Sequence, residues 1–269
     1  MKPDLTEAEH RLLTAYTQAA LQLSRELGSF RDPKDVARIL QRIDAILAQL
    51  DQLSADYIRE GLAEQFKIGS AVALYELRKL RLSDLDTDFT GIHLEAVREL
   101  ARDASLRFGE AIETVRRSAT VKLSQASKEA VLQGMMQKEL TGADATKAVK
   151  SVFAGVTAFR TPNRTIGLED YADILVRSIS AEAHNTGAAT RYAANGVEYA
   201  QVVERETACA VCSPMNDKFI WLGDPKLRPP YHPRCRGGLI PVPGIPDTAI
   251  RSPEDPRVPV LTKQAMMRR

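Results

Sequence analysis

The stretch CAVCSPMNDKFIWLGDPKLRPPYHPRC, residues 209–235, decides how the C-terminal part of this 269-residue chain folds. It contains all three cysteines of the chain, and His232 stands between the second and the third. A C-x-x-C pair followed 19 residues later by an H-x-x-C pair is typical of two turns that meet at one metal ion. The spacing therefore predicts a small domain folded around a Cys/His cluster.

The predicted ligands are Cys209, Cys212, His232 and Cys235, and the predicted ion is a structural Zn²⁺. Zinc takes four nitrogen or sulfur ligands tetrahedrally, so this set fills the shell and leaves no position for water or substrate. The sequence accordingly predicts no catalytic residues and no enzyme. Few large apolar side chains surround the window, which favours a metal as a local source of stability.

Three other interpretations of the window stay open. A redox C-x-x-C normally begins a helix after a strand, whereas Ser213-Pro214 and a turn follow Cys212 here. The cysteines can also be buried without a metal. A zinc bound by only three residues would permit hydrolytic chemistry, but the window lacks the H-x-E or C-x-E of a zinc deaminase.

Proline divides the rest of the chain. None occurs between Pro33 and Pro162, whereas eleven of the 14 prolines lie at Pro214 or beyond. A proline inside a helix costs about 3 kcal/mol, so long helices need proline-free sequence. The predicted fold is mainly α, with long N-terminal helices followed by a small α+β C-terminal domain.

The first helices have recognisable starts. Thr6 and Glu9 form a capping box, and Asp32 before Pro33 marks a second start. Ser54 is predicted to cap a third helix that ends near residue 80.

Four later segments carry helical periodicity or composition. They predict a helix over residues 92–115, a separate one over 124–140, a shorter one over 143–155, and a long one over 168–195 that Gly196 ends. The segment 159–167 between the last two is predicted to be a basic loop. His93, near a helix start, is predicted to be solvated.

After Gly196 the apolar period changes from helical to two. Residues 197–205, 218–222 and 238–242 are predicted strands of a small antiparallel sheet around the Cys/His window. From residue 244 onward, many prolines and few apolar clusters predict an extended tail that forms no core of its own and is ordered only if it lies on something. The domain prediction is a helical arm over 1–140, a C-terminal domain over 141–243 and the tail over 244–269.

Charge narrows the range of partners. The chain has 37 basic and 35 acidic residues, and a net charge of +2 argues against a chain-wide polyanion surface. Between Cys209 and Ile240, however, five basic residues face only two acidic ones. Most such charges are simply solvated, and the functional alternative is contact with phosphates or an acidic partner without base readout. The candidates for that contact are Arg160, Arg164, Lys226, Arg228, Arg234 and Arg236.

The chain shows no apolar run near the roughly 18 residues that span a membrane. Its N-terminus, MKPDLTEAEHRLL, carries acids where a signal peptide would be apolar. Three cysteines in so long a chain do not form a secreted disulfide framework. We therefore expect synthesis and folding in a reducing cytoplasm.

The run YADILVRSISAEAHNTGAATRYAANGVEYAQVVERETACAVCSPMNDKFIWLGDPKLRPPYHPRCRGGLIPV, residues 171–242, resembles the C-terminal domain of the phage head-morphogenesis family, the Mu F-like minor head proteins. The resemblance covers roughly residues 140–243 and is carried by the helix with Asn185 and Gly187, the C-x-x-C pair and PPYHPRCR. The family often has a further cysteine where this chain has Gly237.

The resemblance implies a minor capsid protein of a tailed phage or phage-like particle. Such a virion protein would be made in the host cytoplasm, reside in the capsid interior near the portal, and act in capsid assembly, DNA packaging or ejection. The implied partners are the portal protein, other head proteins and, non-specifically, DNA. The alternatives are a zinc-dependent enzyme of hydrolase or nuclease type, and a DNA-binding module that uses the same Cys/His site.

Overall fold

The structure is a computed structural model that describes residues 5–82, 84–136, 153, 155–160 and 165–266. It is mainly helical and carries a small antiparallel sheet in its C-terminal part, which confirms the predicted fold class. The chain divides into two compact units, Met1–Tyr57 with Ser105–Asp173 and Ile58–Ala104 with Ile174–Arg269. Each unit thus combines two separate stretches of sequence. The boundaries expected at residues 140 and 243 stay a prediction.

The first unit begins with helix α1 (Glu7–Gly28), which packs against α2 (Asp35–Tyr57). The predicted capping box is present: the Glu9 N–H donates to Thr6 Oγ1 (3.3 Å), and the Thr6 N–H donates to Glu9 Oε2 (2.6 Å). Each helix buries one apolar stripe with helical spacing. The buried aliphatic side chains are Leu12, Leu23 and Leu27 of α1, and Ile39, Ile43, Leu47 and Leu50 of α2.

Ser54 does not begin a helix, so that prediction was wrong. It lies inside α2, where its hydroxyl is buried 3.2 Å from the Tyr16 hydroxyl. With a side-chain partner across the helix pair, the Ser54 hydroxyl does not cap the backbone. The helical path continues through one π-helical turn (Ile58–Leu62) into α3 (Ala63–Lys79).

Helix α4 (Gly91–Met136) is a single helix of 46 residues, where the sequence suggested two. No proline or glycine interrupts it between Gly109 and Gly134, and Ala119, Leu123 and Ala126 extend its buried stripe. The helix predicted over 143–155 falls mostly outside the described residues.

Two short strands occupy the two ends of segment 159–167, where the sequence predicted only a loop. β1 (Ala158–Arg160) pairs antiparallel with β2 (Thr165–Gly167), and Phe159 faces Ile166 in the register. Phe159 also stacks on Tyr171, with ring centroids 4.2 Å apart.

Helix α5 (Leu168–Ala194) is followed by Gly196, whose φ of +72° suits a residue without a Cβ. Strands β3 (Tyr199–Val203), β4 (Phe219–Trp221) and β5 (Gly238–Val242) form one antiparallel sheet in the order β4-β3-β5. All three strands lie where the period-two pattern predicted them.

Two glycines allow α3 and α5 to touch through their backbones. A Cβ added to Gly69 would lie 2.7 Å from the His184 carbonyl carbon, and one added to Gly187 would lie 2.9 Å from that of Phe66. Both distances are shorter than real Cβ contacts, so any larger residue would push the helices apart.

A buried arginine fixes the loop between α3 and α4. Arg191 is only 2% exposed; its Nε donates to Ser70 Oγ, and its Nη1 donates to the carbonyls of Asp86 and Asp88, each at 2.9 Å. His93 near this loop is fully buried, so the prediction that it would be solvated was wrong. Two of its neighbours are the aromatic rings Phe66 and Phe89.

The tail, predicted to be ordered only if it lies on something, packs on the sheet and contributes to its core. Ile250 forms a parallel bridge with Ile220, and Val258 and Met266 belong to the same buried cluster as the sheet. The last of these lies in a short helix, α6 (Val260–Met266). A few well-spaced apolar side chains are enough to hold the tail in place because the sheet already supplies a surface on which they pack. Within the described residues, no helix is both long and apolar enough to cross a membrane.

Candidate metal centre

Two tight turns present the Cys/His residues. In the first, the N–H groups of Cys212 and Ser213 both donate to the Cys209 carbonyl, at 3.0 and 2.8 Å. In the second, the Cys235 N–H donates to the His232 carbonyl at 3.0 Å. A hydrogen bond across three residues closes a β-turn, so each pair of side chains is held close by its own local backbone.

The sheet brings the two turns together. The first turn lies between β3 and β4, and the second directly precedes β5, while both β4 and β5 pair with β3. Contacts from outside the turns add support. Asn185 Nδ2 of α5 donates to the Gly237 carbonyl (3.0 Å), and Thr262 of the tail donates to the Val211 carbonyl (2.6 Å).

The four predicted ligands lie in two close pairs. Cys209 Sγ lies 3.1 Å from His232 Nε2, and Cys212 Sγ lies 3.4 Å from Cys235 Sγ. The donor atoms of Cys209, Cys212 and His232 are all within 4.8 Å of one another, a spacing that allows them to hold one metal ion. All three cysteines are free thiols rather than disulfide-bonded.

The structure adds a residue that sequence reasoning missed. A carboxylate oxygen of Glu204 forms a second group with the sulfurs of Cys212 and Cys235, again within 4.8 Å. Cys212 belongs to both groups. No local spacing identifies Glu204, because it lies five residues before the C-x-x-C pair; only the pairing of β3 with β5 brings it to the cluster.

His232 is oriented to use one particular nitrogen. Its Nδ1 lies 2.6 Å from the Pro233 carbonyl oxygen, and because a carbonyl only accepts hydrogen bonds, Nδ1 carries the proton. In the neutral ring Nε2 is then the unprotonated atom, and it points at Cys209. A metal-binding histidine is commonly fixed in this way by its second ring nitrogen.

The pKa values of the two inner thiols are shifted in opposite directions. The contact with Cys212 lowers the pKa of the Cys235 thiol, and hydrogen bonds from the backbone of Gly237 and Tyr231 lower it further. The same contact, together with burial, raises the pKa of Cys212. A thiolate on Cys235 is the form of cysteine that binds metals.

Burial and the neighbouring Cys235 raise the pKa of the Glu204 carboxyl to about 7, with burial as the larger cause. The cluster thus has an inner side, with Cys212 and Cys235 only 2% and 5% exposed, and an outer side, where Cys209 is exposed and His232 half-buried. The inner side is where charge is costly unless a cation compensates it.

The basic residues around the site differ in their exposure to solvent. Lys226, Arg234 and Arg236 are exposed, whereas Arg228 is half-buried. Arg228 lines a cleft with three carboxylates, which would oppose a bound phosphate there: Glu99, Asp103 and Glu182. The Arg160 side chain and the whole of Arg164 lie outside the described residues.

A comparison of the chain with known protein families, with curated proteins and with solved structures finds no match.

Proposed function

We propose that the chain is a minor capsid protein of a tailed phage or phage-like particle, with a structural and assembly role near the portal. The proposal rests on the resemblance of residues 171–242 to the head-morphogenesis family. The observation that carries it further is the meeting of the two Cys/His turns at the sheet. Two turns joined through one ion suit a small domain that has to keep its shape within a large assembly.

The metal in this proposal is Zn²⁺. Three cysteine sulfurs and an imidazole nitrogen are the donors that structural zinc prefers, and the hard oxygen-seeking ions Mg²⁺ and Ca²⁺ bind such sets poorly. Cys209, Cys212, His232 and Cys235 would hold the ion. Zinc would tie the segment before β4 to the segment before β5, where the chain has only short turns and a three-residue strand.

A structural role is favoured over catalysis by the number of protein donors. The cluster offers at least four side-chain ligands, so a tetrahedral ion would retain no position for water. The enzyme alternative draws on one specific observation: the carboxyl of Glu204, with a pKa of about 7, lies beside the sulfurs. A zinc hydrolase needs such a base, together with a water-bearing metal.

The proposed partners are the portal protein and other head proteins, in the capsid interior. Contact with DNA, if made, would go through exposed basic residues such as Lys226, Arg234 and Arg236 and would be independent of sequence. As a DNA-binding module the chain would lose duplex affinity steeply with salt, and charge reversal at Arg234 and Arg236 would abolish binding.

The deciding experiment locates the chain in assembled particles. A tagged copy should be found by cryo-electron microscopy in a few copies at the portal vertex. Its absence from purified particles would overturn the capsid proposal.

The metal is tested separately by elemental analysis of the purified chain, where wild type should carry one zinc and Cys212→Ser none. An X-ray absorption spectrum with a zinc-bound water would instead support the enzyme.

A further inference from the structure

We propose that Glu204 is a further ligand of the metal, and that its carboxylate occupies space which exists only because residue 237 has no side chain. This inference rests on the proposed metal-binding function of the cluster and extends it to a donor outside the Cys/His pattern. It also assigns Gly237 a role: to leave space for the Glu204 carboxylate, rather than to adopt a backbone conformation that only glycine allows.

The register of the sheet puts the two residues side by side. Val203 pairs with Gly238 at the end of the β3–β5 ladder, and Glu204 and Gly237 are the next residues of the two segments just past it. The Glu204 N–H donates to Asn216 Oδ1 at 2.8 Å, which anchors its backbone after β3 ends. The backbone of Glu204 is therefore fixed by the fold.

The carboxylate points into the inner side of the cluster. Its Oε1 lies 3.9 Å from Cys235 Sγ, and one of its oxygens is within 4.8 Å of both inner sulfurs. Carboxylate oxygens bind zinc at about 2.0–2.2 Å and thiolates at about 2.3 Å, so donors at these separations can reach one ion. Cys212 and Cys235 are both buried, which makes a shared cation the natural compensation for their charge.

Gly237 provides the room. A Cβ built on it would collide with Glu204 Oε1 and lie 2.8 Å from Glu204 Cδ and 3.0 Å from Pro229 Cβ. Its φ is not in the left-handed region, so the backbone does not require glycine there. The reason for glycine is space: a side chain at 237 and the carboxylate in its present place exclude one another.

The cluster then has five donors, one more than a tetrahedral ion uses. Cys212 contributes to both groups, so its loss should be the most damaging. Loss of Cys209 leaves the inner group of Glu204, Cys212 and Cys235 complete. We therefore expect Cys209→Ser to retain metal with lowered affinity, and to release it when Glu204 is also replaced.

The test measures zinc affinity by chelator competition and the visible spectrum of the Co²⁺-substituted protein. Wild type is compared with Glu204→Ala, Glu204→Gln, Gly237→Ala and Gly238→Ala. A Cβ on Gly238 meets nothing within 4 Å, so Gly238→Ala is the matched control for its neighbour. Four Cys/His donors remain when Glu204 is replaced, so we expect both Glu204 variants to keep zinc with about 10- to 100-fold lower affinity and to show a shifted cobalt spectrum.

Gly237→Ala should imitate the Glu204 variants, and Gly238→Ala should behave as wild type. In a Glu204→Ala background, Gly237→Ala should cost little further affinity, because both changes remove the same donor. Wild-type affinity and an unshifted cobalt spectrum in Glu204→Ala would overturn the inference. A wild-type chain that binds no metal would instead overturn the proposed metal site itself, so the two failures are distinguishable.

Discussion

The two compact units are stabilised by different means. The first, Met1–Tyr57 with Ser105–Asp173, buries regularly spaced side chains such as Leu12, Leu23 and Leu47, each at most 1% exposed. The second, Ile58–Ala104 with Ile174–Arg269, also has an apolar core but adds contacts that tolerate little change: glycines at a helix contact, a buried arginine and the Cys/His cluster.

The difference is one between generic and specific stabilisation. Apolar burial is non-directional, so the first unit can absorb moderate changes of side-chain shape. Buried polar groups and metal ligands need their particular partners, and losing one leaves the other unsatisfied. The second unit should therefore respond to metal and to single atoms in ways that the first does not.

Removal of the metal should give the largest loss of stability, and it should destabilise the second unit but not the first. We expect chelation to lower amide-exchange protection of β3 and β5 by several kcal/mol while α1 and α2 stay protected. The free energy of zinc binding is about 10–16 kcal/mol in zinc-finger peptides. The loss should be smaller here, because the apolar cluster that includes Tyr231 and Met266 also stabilises the unit. Equal protection with and without chelator would contradict a structural metal.

Leu47→Ala should act on the first unit alone. Leu47 is fully buried, and deleting three buried carbons of a leucine costs about 2–5 kcal/mol through lost transfer energy and a residual cavity. Urea denaturation followed by exchange at α1 and α2 measures the loss. Zinc content should be unchanged, and a loss of metal in this variant would argue against independent stabilisation of the two units.

Two glycine-to-alanine changes should have opposite signs. Gly187→Ala, at the contact between α3 and α5, should destabilise the second unit by about 1–3 kcal/mol because the added methyl meets the Phe66 backbone. Gly109→Ala, where the added methyl meets nothing within 4 Å, should stabilise α4 by about 0.5–1 kcal/mol. Thermal melts of both variants measure the two effects, and destabilisation by both would show that the space around the added methyl does not decide the sign.

The smallest effect is expected at a surface ion pair of the first unit. Arg116 Nε lies 3.0 Å from Asp44 Oδ1, with the two side chains 41% and 58% exposed. Exposed pairs contribute about 0–1 kcal/mol and are screened by salt. Asp44→Asn should thus shift the denaturation midpoint only slightly and less at high salt. A loss near that of Leu47→Ala would mean that specific polar contacts matter in the first unit too.

Local patterns were the part of this molecule that could be predicted from sequence. The capping box of Thr6 and Glu9 involves neighbours along the chain, so its residue types suffice to identify it. The period-two run that became β3 follows in the same way from alternation of side chains, and β4 and β5 lie in the two short strand candidates after it. The two Cys/His turns are likewise closed within four or five residues.

The errors have a common physical cause. Ser54 has the residue type of a cap, but its hydroxyl lies beside Tyr16, 38 residues away, and the helix continues. His93 has the position of a surface residue but is enclosed by rings that include Phe66 from α3. The composition of the tail did not show what it would lie on, and in the structure Ile250 and Met266 pack on the sheet. In each case the deciding partner is distant in sequence.

The sequence by itself determined the helical first part, the three-stranded sheet and which cysteines and histidine could form a cluster, because those depend on periodicity and short spacings. Only the tertiary structure decided that Glu204 joins Cys212 and Cys235 and that Gly237 leaves it room. That neighbourhood depends on the register between β3 and β5, whose residues lie 35 or more positions apart. A register is set by the hydrophobic patterns of the two strands together and by the connection between them, so it cannot be predicted from either strand alone.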